Sequence, residues 1–177
     1  MALAGLLVAP GARATEGGAG LINGVCGLGA PGRPWYATRW CGAVRGDVLF
    51  GRQRDGDAAL GVSSSVGTAS FEESTWTVGA AGLASLSRAW VGEVSVGPLW
   101  RRRGGDSGFG ASAWLFLGRR RHNPWSAYSM AWGAALGYER SFFAVDSSTL
   151  ILGARLDGVL VAIPAMLGWE ALRGCWR

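Results

Sequence analysis

The chain has 177 residues, enough for one domain with a full core and too few for two. Charged residues make up 16% and apolar ones 49%, while 30 glycines and 10 tryptophans argue against a helical protein, since each interior Gly costs a helix about 1 kcal/mol. The formal charge of +5 rests on 17 basic residues, all arginine, but no nucleic-acid motif or aromatic–basic interleaving accompanies them, so nucleic acid is not an expected partner.

The N-terminal "MALAGLLVAPGARA" has an apolar run from Ala2 to Ala9, then Pro10-Gly11 and a small-x-small site at Ala12-Arg13-Ala14. It is expected to be a truncated signal-peptide remnant over 1–14, lacking a basic leader and too short to span a membrane. Residues 15–35 are Gly/Pro-rich and expected to be irregular, although "GLINGVCGL" within them is a candidate strand. A barrel domain is expected over 36–177.

From Trp40 onward, alternating segments are separated by turn signals. "AVRGDVLFG" sets Val44, Val48 and Phe50 on one face and Arg45 and Asp47 on the other; an Asp-Gly turn follows in "RQRDGDA". After the weaker strand "ALGVSSSVGTASF", the stretch Thr75–Trp100 contains two strands meeting near Ser87-Arg88. One face carries Trp76, Val78, Ala80, Trp90, Val94 and Val96, and the other Thr77, Ser85, Glu93 and Ser95. "RRRGGDSG" is a turn, and "FGASAWLFLG" aligns Phe109, Ala111, Ala113, Leu115 and Leu117. "AYSMAWGAALGYE" sets Tyr128, Met130, Trp132, Leu136 and Tyr138 opposite Ser129, Gly133, Gly137 and Glu139. "TLILGARLDGVLVA" is the last strand, followed by a short helix expected from about Pro164. Short and long turns show no clear alternation. The reading is all-β: an antiparallel up-and-down barrel of about eight strands with a short C-terminal helix.

No segment is long enough for a transmembrane helix, so membrane residence requires a closed barrel. One strand face carries Trp, Tyr, Leu, Val and Phe. The other carries Gly, Ala and Ser with six charges: Arg45, Asp47, Glu93, Glu139, Arg155 and Asp157. Turned outward, the small face would give a water-facing surface too poor in charge for a soluble protein. Turned inward, small residues and paired charges fill an eight-stranded lumen. The six charges are therefore expected to form one connected lumen network, and the bulky face to meet lipid. Trp76, Trp90, Trp100, Tyr128 and Tyr138 fit interfacial girdles.

Three cysteines allow one disulfide; Cys26–Cys41 is the candidate pair, with Cys175 the competitor. Their spacing fits no zinc pattern, the lone histidine is His122, and the glycines frame no phosphate loop, so no metal or cofactor is expected. Arg119, Arg120, Arg121 and His122 are candidate contacts for an anionic sugar or lipid headgroup.

The segments "AVRGDVLFGRQRDGD", "SAYSMAWGAALGYE" and "LILGARLDGVLVAIP" resemble small bacterial outer-membrane β-barrel proteins of an uncharacterised family, over about residues 36–170. The resemblance implies location in the bacterial outer membrane and contact with its lipid, including lipopolysaccharide. It also implies a monomer with a non-enzymatic role as a structural or adhesion/binding scaffold. One alternative is a soluble exported, lipocalin-like barrel binding an apolar ligand, with Trp132 and Leu136 inside. A third is a lipid A-modifying hydrolase using His122, Ser126 and Glu139 or Asp146.

Overall fold

In a computed structural model of the chain, the described residues are 14–29, 36–51, 55–87, 89–121, 129–142 and 147–157. They form β1 (Ala14–Gly29), β2 (Tyr36–Phe50), β3 (Ala59–Ala69), β4 (Glu73–Ser85), β5 (Val91–Arg103), β6 (Asp106–Arg120), β7 (Ala131–Ser141) and β8 (Ser147–Asp157). Each strand pairs antiparallel with the next, and β8 pairs with β1 to close the barrel. The expected all-β, eight-stranded up-and-down barrel is the fold observed. The expected signal remnant and the C-terminal helix from Pro164 fall outside the described residues.

The closing strand comes from the segment expected to be irregular. β1 alternates as the other strands do: Glu16, Ile22 and Cys26 are buried while Leu21 and Val25 are exposed. Its glycines hid that alternation from composition. They also suit the seam with β8, where Gly24 faces Gly153 in register. A Cβ on Gly153 would come 2.6 Å from the carbonyl oxygen of Asn23, so a side chain there would push the strands apart.

Chain direction sorts the connections between two rims. The rim where β1 begins and β8 ends, called proximal here, carries the connections 51–58, 86–90 and 121–130. The distal rim carries 30–35, 70–72, 104–105 and 142–146. Each distal connection is shorter than the proximal ones beside it, so short and long do alternate, contrary to the sequence reading.

The period-two pattern resolves into an inside and an outside. Glu93 and Arg155 are each 1% exposed, whereas their strand neighbours Val94 and Leu156 are 52% and 47% exposed. Along the outward positions of the described strands, Val, Leu, Ala, Gly and aromatic residues dominate. The charged ones are Arg102, Arg119 and Arg140, each the next-to-last residue of its strand. Outward aromatics gather toward the rims. Trp76 faces Trp100, which in turn faces Phe109 on the distal side, where Trp40 stacks on Phe71 at 5.1 Å; Trp90 and Trp132 lie toward the proximal side. Tyr128, expected in a girdle, is outside the described residues. The lipocalin-like alternative required Trp132 and Leu136 inside. Both are exposed, because the lumen of β7 is already taken by Ala131, Ala135, Glu139 and Ser141.

Candidate functional site: a charged and disulfide-bonded lumen

The inward positions of β6 are not all small. Trp114 and Phe116 are buried inside the barrel, where one face of a soluble or membrane strand of this sequence would read as mixed. Trp114 fits because its cross-strand partner is Gly137; a Cβ at Gly137 would lie 2.8 Å from the indole. These two rings carry guanidinium groups on their faces. Arg155 sits 5.1 Å from the Phe116 centroid and Arg45 6.0 Å from that of Trp114, distances at which the ring quadrupole attracts a cation.

Around Phe116, on the proximal side, charges from five strands meet. Arg45 donates to Glu93 Oε1 (3.1 Å) and Ser95 Oγ (2.6 Å). Arg155 donates through Nη1 to Glu93 Oε2 (3.1 Å) and through Nη2 to Asp47 Oδ2 (2.5 Å). Arg120 donates to Glu93 Oε2 (3.1 Å), Asp47 Oδ1 (2.5 Å), Ser129 Oγ (2.9 Å) and Glu16. The forked, planar guanidinium suits this cross-linking, since one side chain can serve several carboxylates from fixed directions. Asp157, 1% exposed, accepts from the backbone N–H of Ala131 at 3.3 Å.

A second polar cluster lies toward the distal rim. Arg101 donates to Glu139 Oε2 (2.9 Å) and Ser147 Oγ (2.8 Å), and Glu73 lies between Arg101 (4.0 Å) and Arg103 (3.3 Å). Between the clusters runs an apolar layer of Ile22, Cys26, Cys41, Ala69, Trp114, Ala135 and Ile151. Cys26 and Cys41 are disulfide-bonded there, linking β1 to β2 with a Cα–Cα distance of 5.8 Å. Cys175 lies outside the described residues.

Of the six charges assigned to a lumen network, the structure joins Arg45, Asp47, Glu93 and Arg155 directly. Glu139 belongs to the distal cluster instead, because it lies two residues from the distal end of β7. Period two gives the face of a residue but not its height.

The arginine triplets hold the larger surprise. Arg120, grouped in the sequence with headgroup contacts, is 2% exposed and is the hub of the proximal cluster; Arg101, read as part of a turn, is 1% exposed. Extending the alternation of β5 and β6 through "RRR" identifies both, since Glu93 and Ser95 share parity with Arg101, and Ser112 with Arg120. Glu16 and Glu73 are two further lumen carboxylates missed in the sequence.

Arg119 and Arg121 remain exposed on the outer surface, with Arg119 5.8 Å from the centroid of Trp132. His122 and Ser126, and with them the hydrolase arrangement, lie outside the described residues. Among the described residues, no group of three or more His, Cys, Asp or Glu side chains is placed to hold a metal ion.

No protein-family model matches the chain, and no curated protein matches it. Among solved structures, the chain is similar to Ail, the attachment invasion locus protein of Yersinia pestis, solved in complex with the heparin analogue sucrose octasulfate. The identity is 12% and the TM-score 0.48, over 80% of this chain and 99% of that one.

Proposed function

We propose that the protein is a transmembrane β-barrel of the bacterial outer membrane, acting as a structural or binding scaffold rather than an enzyme. The observation that carries this reading is the outward face. It is apolar around all eight strands, and its described charges are three arginines one residue from the strand ends. In water this would be a continuous apolar patch far beyond the few hundred Å² that soluble monomers expose. In a bilayer it is the lipid-facing band, with aromatic girdles at its edges.

Arginines at the band edges extend their head groups toward lipid phosphates while their stems stay in the apolar zone. Arg119 and Arg121 lie on one face beside Trp132, which favours contact with phosphate-bearing headgroups such as those of lipopolysaccharide. A disulfide inside the lumen suits an exported chain, because such bonds persist in oxidising compartments. Longer connections at the proximal rim make it the better-supplied rim for loop-borne binding.

Fractionation of cells exporting the full chain tests the proposal. Recovery with outer-membrane fragments, released only by detergent, is expected. Recovery in the soluble periplasm without detergent would overturn it.

A further inference from the structure

Besides Ser141 Oγ at the end of β7, four buried polar atoms in the distal half of the lumen make no hydrogen bond among the described residues: Glu73 Oε1, Arg101 Nε, Trp114 Nε1 and Thr149 Oγ1. Their residues, from β4, β5, β6 and β8, are each at most 5% exposed. All four line one cavity of about 20 Å³, together with Thr75 and Glu139. Glu73 Oε1 does have Arg103 Nε 3.3 Å away, an ion contact that is not aligned as a hydrogen bond. Buried polar groups are rarely left this way, because each costs about 1–3 kcal/mol when unsatisfied. Four around one small space point to a guest.

The chemistry of the four atoms selects it. Arg101 Nε and Trp114 Nε1 are N–H donors, Glu73 Oε1 is an acceptor, and the Thr149 hydroxyl serves as either. A cation would face two N–H groups, and an anion would face the Glu73 carboxylate. Among the lining and adjacent charges, Glu73 and Glu139 are matched by Arg101 and Arg103, so the space favours a neutral occupant. Water offers two donors and two acceptors, which is the complement of the set. A cavity needs roughly 10–15 Å³ to hold one.

We infer that this cavity binds one resident water molecule. It accepts from Arg101 Nε–H and Trp114 Nε1–H and donates to Glu73 Oε1 and Thr149 Oγ1. The water ties β4, β5 and β6 to β8 across the lumen, just distal to the apolar layer that contains the disulfide. The inference concerns the interior alone and stands or falls independently of where the barrel resides.

Water-selective NMR on the full chain, ¹⁵N-labelled at tryptophan indoles and held in deuterated detergent, tests it. The Trp114 indole resonance is the one lost in Trp114→Phe; should that variant fail to fold, it is the indole that shifts in Thr149→Val. Expected is a cross-peak to the water frequency with opposite signs in NOE and ROE spectra, the mark of a long-lived bound water. Thr149→Val, which keeps the volume and removes the hydroxyl, should weaken that cross-peak at least two-fold while the other indoles stay in place. Absence of the cross-peak in the parent, or an undiminished one in Thr149→Val, would overturn the inference.

Discussion

Arg120 at the end of β6 reaches across the lumen to Asp47 on β2, its Nη2 2.5 Å from Oδ1. Breaking a buried pair by removing one partner leaves an uncompensated charge, at a cost of about 3–5 kcal/mol. Arg120→Met should destabilise the barrel by that order in urea unfolding from detergent micelles. Arg119→Ala, one residue away on the outer surface, should stay within about 0.5 kcal/mol of the parent. Equal effects of the two would refute the assignment of Arg120 to the lumen.

Arg155 shares both Asp47 and Glu93 with Arg120. Each single removal leaves Asp47 one of these two guanidinium partners, and Glu93 keeps Arg45 as well; the double removal takes both from Asp47. The double variant Arg120→Met/Arg155→Ala should therefore cost more than the sum of the singles, with a coupling of about 0.5–3 kcal/mol. Arg155→Ala alone should also exceed Arg102→Ala, whose side chain is exposed at the distal rim. Strict additivity in a double-mutant cycle would contradict a shared network.

These residues also mark what the sequence made legible. Alternation such as Glu93, Ser95 against Val94, Val96 was enough to give the barrel, its facing and four members of the proximal cluster. It failed where local composition masked the period. Glycines between Glu16 and Cys26 made β1 look irregular, and "RRR" looked like a solvated turn although its parity sends Arg101 and Arg120 inward. Height along the axis was not legible either. It depends on cross-strand register, as when Ser112 pairs with Glu139 and sets that carboxylate near the distal rim.

The disulfide closes a loop with a sequence separation of 15, for which chain entropy gives about 3 kcal/mol. The double variant Cys26→Ser/Cys41→Ser should lose stability of that order, measured by urea unfolding under non-reducing conditions. Because Cys26 and Cys41 are 1% and 4% exposed, reductant and a thiol-reactive mass tag should label them only after unfolding. Rapid labelling of Cys26 or Cys41 in the folded barrel, read in a Cys175→Ser background, would contradict their place in the lumen.

If the outward face meets lipid, a charge on it should cost more at mid-strand than at the rim. Val96, near the middle of β5 and facing Ala80 and Ala113, is a central position; Ser107, second in β6, is a rim position. Val96→Arg should reduce folding stability in lipid vesicles by about 2–4 kcal/mol, and Ser107→Arg by about 0–1 kcal/mol. Similar small costs at both sites would point to water rather than lipid around the barrel.

Whether the exposed apolar face meets hydrocarbon is read directly by nitroxide labels on the barrel in lipid vesicles. Labels at Val44, Val96, Leu136 and Leu152, all exposed mid-barrel side chains, are compared with labels at Gly56 and Gly104 in the connections. Dissolved oxygen should relax the four barrel labels strongly while a water-soluble paramagnetic complex hardly reaches them, with the reverse at Gly56 and Gly104. Free access of the water-soluble complex to Val96 and Leu136 would show that this face does not meet hydrocarbon.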